Sequence, residues 1–125
     1  MIQLDANYLI LATQAGSPED RHIRTWLARG EPLATSAVAW MEFVTGPVAP
    51  GVVAAMLQVI EDRIVAVGRD EAERAASLFN LVGRKRALRY DCLIAAVAIS
   101  ASASLATRNV ADYRVLVPHG LRLQA

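Results

Sequence analysis

The sequence predicts an α/β fold: a three-layer α/β/α sandwich around a short parallel sheet of four to five strands. Two observations carry this. Short apolar runs alternate along the chain with longer segments of helical periodicity. The runs are also apolar throughout rather than apolar on alternate residues, the pattern of strands buried on both faces by crossover helices.

Met1 to Leu4 reads as the first strand, and Asn7 to Gln14 as the helix that follows. Pro18, Glu19 and Asp20 open the next helix, because proline suits the first turn and acids complement the positive helix end. Ile23, Trp26 and Leu27 recur there at helical spacing, and Gly30 ends it. Pro32 to Thr35 is a second strand, followed by a helix from Ala37 to Val44. Gly46-Pro47 and Pro50-Gly51 mark a turn or hinge, after which Val52 to Ile60 is helical. Ile64 to Val67 is a β-branched third strand. Asp70 to Gly83 is an amphipathic helix with Ala72, Ala75, Ala76 and Phe79 on one face. Tyr90 to Ala101 is a further helix, Leu105 to Thr107 the fourth strand, and Leu121 to Leu123 a fifth.

Bulk properties narrow the class. With 54% apolar and 20% charged residues, the 125 residues suit one globular domain, 1–125, with its own core. The single cysteine, Cys92, has no disulfide or zinc-knuckle partner, which favours a reducing, cytoplasmic setting. The opening MIQLDANYLILA interrupts its apolar run with an acid and lacks a basic leader, so no secretory signal is expected. No stretch approaches the ~20 apolar residues of a membrane span. A net charge of +1 argues neither for nor against a nucleic-acid partner.

The acids are more informative. Asp5 ends the first strand, and Asp112 lies in the turn or short helix after the fourth. In open parallel sheets, ligands bind beyond the carboxyl ends of the strands, where the strand order reverses. Asp91 opens an Ala-rich helix, and Glu42 sits inside the apolar run Val38-Ala39-Trp40-Met41-Glu42-Phe43-Val44. Singly, each has an ordinary explanation. Asp5 and Asp91 suit helix capping, Asp112 suits a turn, and Glu42 can face solvent. Together, four converging carboxylates would repel one another and raise their own pKa values. A divalent cation would relieve that repulsion, and all-oxygen ligation suits Mg²⁺ or Mn²⁺ rather than zinc. Such a centre suits phosphodiester hydrolysis.

These residues resemble the PIN-domain nucleases, and within them the VapC-type toxins of toxin–antitoxin pairs. The resemblance rests on four motifs in order: Leu4-Asp5-Ala6-Asn7, then Glu42 in the helix after the second strand, then Asp91-Cys92-Leu93-Ile94-Ala95-Ala96, then Thr107-Arg108-Asn109-Val110-Ala111-Asp112-Tyr113. It covers nearly the whole chain. It implies a PIN-like sandwich, Mg²⁺- or Mn²⁺-dependent endoribonuclease activity, and inhibition by a small cognate antitoxin. Carried over, Asp5 and Asp91 look like the central metal ligands, Glu42 like the third acid and Asp112 like the fourth. Asn109, three residues before Asp112, competes with it for that role, and Asn7 and Thr107 look like supporting polar residues. The sequence departs from the family's commoner residues at Ala6, Cys92 and Tyr113, where Ser or Thr, Ala and Phe are frequent.

Arg84, Lys85, Arg86 and Arg89 immediately precede Asp91. They read either as a solvated helix end or as phosphate contacts that steer RNA toward the acids. Arg21, His22 and Arg24 form a weaker patch on an exposed helix, and Trp26 and Trp40 lie at core spacing. His22 and His119 belong to no acid–base pair that would cleave RNA without metal. Absence of a Gly-rich phosphate loop and of a Gly-x-Ser-x-Gly elbow disfavours triphosphate hydrolysis and serine chemistry. The alternative from another class is a non-catalytic interaction or phosphoacceptor-type signalling module. That module would use Asp5 but would require neither Glu42 nor Asp91. Self-association as a homodimer, through apolar helical surface such as Val52 to Ile60, or assembly into a toxin–antitoxin hetero-oligomer, is also expected.

Overall fold

The computed structural model describes residues 1–124. Five parallel strands form one sheet: β1 (Ile2–Leu4), β2 (Leu33–Ser36), β3 (Ile64–Val65), β4 (Ser104–Ala106) and β5 (Arg122–Leu123), in the order β3-β2-β1-β4-β5. Seven helices connect and cover them: α1 (Ala6–Ala12), α2 (Pro18–Ala28), α3 (Ala37–Thr45), α4 (Pro50–Val59), α5 (Arg69–Leu81), α6 (Arg89–Ser100) and α7 (Val110–Arg114).

β1 is central, pairing with β2 through Ile2↔Leu33 and with β4 through Gln3↔Leu105. Connections run outward from β1 to β2 and β3, then jump back across it to β4 and β5. The strand order therefore reverses between β1 and β4, the point at which open α/β sheets hold their ligands beyond the carboxyl edge.

Each face of the sheet has its own core. Ile2, Leu4, Leu33 and Ala106 pack against Tyr8 and Leu9 of α1, Ile23 and Trp26 of α2, and Met56 of α4. On the opposite face Leu105 packs beneath Ala75 and Leu78 of α5, the small residues Ala95, Ala96 and Ala98 of α6, and Tyr113 of α7. Helix α3 serves both, giving Phe43 to the first core and Ala39 to the second. β1 and β2 are buried throughout, polar Gln3, Thr35 and Ser36 included, as is β4 apart from Ser104, while the edge strands β3 and β5 are partly exposed.

Local corrections have local causes. Pro50 and Gly51 belong to α4 rather than to the preceding turn: Pro50 occupies its first position, where a missing N–H costs nothing. The third strand stops at Val65 and does not reach Val67, since its only neighbour is β2 and it lies on the sheet edge. The fourth strand runs one residue earlier than its apolar run suggests, leaving Thr107 just beyond its end. Helix α2 starts where Ser17 accepts a hydrogen bond from the Asp20 N–H, at 3.0 Å. Among the described residues no helix is long and apolar enough to cross a membrane.

Candidate metal centre and its surroundings

Asp5 stands at the switch point. Its backbone N–H donates to the Ala106 carbonyl (2.9 Å), continuing the β1–β4 ladder one residue past the strands. Its side chain is only 4% exposed. One carboxylate oxygen accepts from the Ala6 N–H at 2.8 Å, capping α1, and the other accepts from the Thr107 hydroxyl at 2.7 Å. Capping and a site role thus coincide in one carboxylate, whose four lone pairs leave room for a further partner. Burial raises the Asp5 pKa, and the bonds from Thr107 and Ala6 act against that rise.

Asp91 lies in the first turn of α6 and is half-buried. Its carboxyl is pushed up to about 6, first by burial and then by the negative charge of Asp5, with Asp112 adding to the rise. Glu42, on the second turn of α3, is raised first by burial and then by Asp5 and Asp91. The acids therefore share one electrostatic field although they come from four separate segments. Asp112 is exposed on α7, and it is felt at Asp91. Asn109 is exposed too and caps α7 without a side-chain bond. Among the described residues, no three His, Cys, Asp or Glu side chains are drawn together tightly enough to hold an ion. The chemistry of the donors, though not their present spacing, suits one. The set is all carboxylate, and its members disfavour one another's ionisation, an expense that a hard divalent cation removes.

The loop after β4 is tied down at three points. Thr107 Oγ1 accepts from the Asn109 N–H (3.0 Å) while donating to Asp5. Asn7 Oδ1 accepts from the Arg108 N–H at 3.2 Å. The Arg108 guanidinium reaches Glu19, at 3.2 Å, and the Glu19 side chain is only 4% exposed. Asn7 and Thr107 are thus supports that join the β1 and β4 loops. The Glu19–Arg108 tie is not foreseen from sequence, where Glu19 passes as a helix-start acid. Beside it the Tyr8 hydroxyl meets His22 Nδ1 at 2.7 Å, its ring stacked on Trp26. Burial and then Glu19 push the Tyr8 phenol up to about 12, against the pull of Arg108.

Tyr113 is the other residue sequence reasoning misses as part of the site. In sequence it stands out only as a departure from the commoner Phe, yet its ring is fully buried and its hydroxyl faces Asp5 and Asp91. Burial, then the charges of those two acids, drive its pKa far above the ordinary phenol range.

The basic run is placed apart from the acids' polar network. Arg84 and Arg89 both lie over the Phe79 ring, 5.6 and 5.7 Å from its centroid, and flank the groove between α5 and α6. Lys85 and Arg86 are exposed, in and next to a short 3₁₀ turn at 86–88. None of Lys85, Arg86 and Arg89 forms an ion pair among the described residues. Trp26 is core and Trp40 packs at a tilt on Phe43, leaving Tyr90, 60% exposed, as the free ring near the run.

A comparison with curated protein sequences gave no match. Solved structures with the same fold include FitAcB from Neisseria gonorrhoeae, 19% identical, covering 100% of this chain and 97% of that one, with a TM-score of 0.72. VapBC2 from Rickettsia felis, bound to a DNA fragment from its promoter, is 20% identical over 99% of this chain and 98% of that one, with a TM-score of 0.73. A toxin–antitoxin complex from Klebsiella pneumoniae is 24% identical, covering 90% of each chain, with a TM-score of 0.72. At these identities the likeness is one of fold. A family model described as the PIN domain matches residues 2–115, a span that begins with β1, runs past α7 and takes in all four acids. The chain belongs to the PIN domain family.

Proposed function

We propose that this chain is a Mg²⁺- or Mn²⁺-dependent endoribonuclease and acts as the VapC-type toxin of a toxin–antitoxin pair. The observation that carries the reading is the shared field of Asp5, Glu42 and Asp91 at the β1/β4 switch point. PIN domains are generally nucleases, and residues 1–125 are read as one such domain. Asp5 and Asp91 would hold the cation, with Glu42 and Asp112 as the further acids and Asn109 as the alternative to Asp112. When bound, the ion supplies Lewis-acid activation of water and charge compensation at the phosphodiester. Thr107 and the Ala6 N–H fix the Asp5 carboxylate, while Asn7 holds the loop that carries Thr107. Glu42, made more basic first by burial and then by Asp5 and Asp91, would accept a proton from the attacking water and so orient it. Arg84, Lys85, Arg86 and Arg89 would meet RNA phosphates.

The partner reading draws on the structure from Klebsiella pneumoniae, a toxin–antitoxin complex. A small antitoxin presenting a cationic side chain would satisfy the acidic site electrostatically. We infer cytoplasmic action, and assembly as a homodimer or as a toxin–antitoxin hetero-oligomer.

The test is cleavage of structured RNA by purified protein with Mn²⁺, beside Asp5→Asn and Asp91→Asn. Both variants should lose at least about a hundredfold in rate with unchanged circular dichroism. Unchanged cleavage in both would overturn the ligand assignment. For the partner, co-expression with a short DNA-binding protein encoded directly upstream should relieve growth arrest and co-purify.

A further inference from the structure

Tyr113 is the largest of the fully buried side chains, and its hydroxyl has no hydrogen-bond partner among the described residues. Its ring belongs to the core that includes Ala6 and Cys92, the residues that directly follow Asp5 and Asp91. Phenylalanine would fill the same space without the oxygen, and a buried hydroxyl left unsatisfied costs about 1–3 kcal/mol. The oxygen faces two carboxylates, Asp5 and Asp91. A phenol has one hydrogen to donate, and ionised carboxylates only accept. Asp5 already has its donors, the Ala6 N–H and the Thr107 hydroxyl. Asp91 feels the Tyr113 hydroxyl as a donor, yet the two fall short of a formed hydrogen bond, and Asp91 accepts from no other side chain among the described residues.

We propose that Tyr113 is a positioning residue for the acidic centre, its hydroxyl donating to Asp91 when Asp91 and Asp5 close together on a divalent cation. The orphaned oxygen is then half of a bond that forms on closure. The inference rests on the metal-dependent reading above. It assigns no contact between Tyr113 and the ion or the RNA. Tyr113 acts by fixing which way the Asp91 carboxylate points, as outer-shell donors do in metal sites.

The test uses the full chain, wild type and Tyr113→Phe, with two readouts. Calorimetric titration with Mn²⁺ at neutral pH should show about tenfold weaker binding in Tyr113→Phe, with a melting temperature equal to or above wild type because an orphaned group is gone. Resonance Raman spectra, as the difference between wild type and Tyr113→Phe, isolate the doublet of this tyrosine from those of Tyr8 and Tyr90. Adding Mg²⁺ should move that doublet to the hydrogen-bond-donor form. Equal Mn²⁺ affinity within twofold, or a doublet that Mg²⁺ leaves in place, overturns the proposal while the metal reading stands. Wild-type protein that takes up no Mn²⁺ overturns both. Should Tyr113→Phe fail to fold, spectra of Tyr8→Phe/Tyr90→Phe with and without Mg²⁺, in which Tyr113 is the sole tyrosine, decide instead.

Discussion

Single side chains set the character of the site. Asp91 has its pKa pushed up to about 6 against an ordinary value of 3.8, so the folded chain holds its proton more tightly than the unfolded chain. The stability this contributes is complete below the unfolded value and is lost as pH rises through about 6. Metal-free protein should therefore melt lower at pH 7.5 than at pH 5, with Asp5 and Glu42 acting in the same direction. Asp91→Asn should flatten this dependence and raise the metal-free melting temperature at pH 7.5. Allowing for solvent screening of a half-buried group, the gain is about 1–2 kcal/mol. Differential scanning calorimetry across pH checks it, and an Asn variant that melts lower at pH 7.5 would refute it. Gln3 offers a second case. Its amide is fully buried in β1, and neither its nitrogen nor its oxygen has a partner among the described residues. Gln3→Met keeps volume and removes both orphans, so it should stabilise by about 1 kcal/mol in urea titration. A loss of stability would mean the amide is satisfied by buried water.

At the scale of elements, the loop after β4 has to be held where a flexible connection would otherwise fray. The Glu19–Arg108 pair ties it to α2, and Glu19 is the buried partner. Arg108→Ala should cost about 1–2 kcal/mol, because it leaves the buried Glu19 carboxylate without its partner while the exposed Arg108 side keeps the pair partly screened. Glu19→Gln should cost less, and adding it to Arg108→Ala should recover part of the loss. Urea unfolding of the three variants gives the coupling energy, and strict additivity would show that the two residues act separately. This tie also marks the limit of what the sequence discloses. The helices and strands were legible because their signals are local: Ser17 and Pro18 at the start of α2, the small residues of α6, the apolar runs of the strands. Asp5, Glu42 and Asp91 were legible as a group because acids at strand ends and inside apolar helices are chemically conspicuous. A pair 89 positions apart leaves no such trace, nor does the hydroxyl of Tyr113, which in sequence is only a Tyr where Phe is commoner. The placement of Arg84 and Arg89 on Phe79 likewise depends on how α5 lies along α6, a tertiary fact that their spacing does not encode.

For the molecule as a whole, the balance of charge decides how a nucleic acid would be met. The net charge is +1, too small to draw RNA from a distance, and the site itself is acidic. Any attraction must come from a local patch that offsets the acids. The run at 84–89 is the strongest such patch, and Lys85, Arg86 and Arg89 are free of ion pairs among the described residues. Arg86 is committed to no neighbour, whereas Arg89 shares the Phe79 ring with Arg84. The double variant Arg86→Ala/Arg89→Ala should weaken binding of single-stranded RNA about tenfold at low salt. Each phosphate contact removed should also lower the slope of log affinity against log salt by about 0.7, so a drop of about 1.4 marks two contacts and a drop near 0.7 marks Arg86 alone. Melting temperature serves as the control, since both side chains are exposed and Arg89 gives up only a ring contact. An unaltered slope would leave the run as a solvated surface, and the cations that bring RNA to the acids would then have to be sought elsewhere on the molecule.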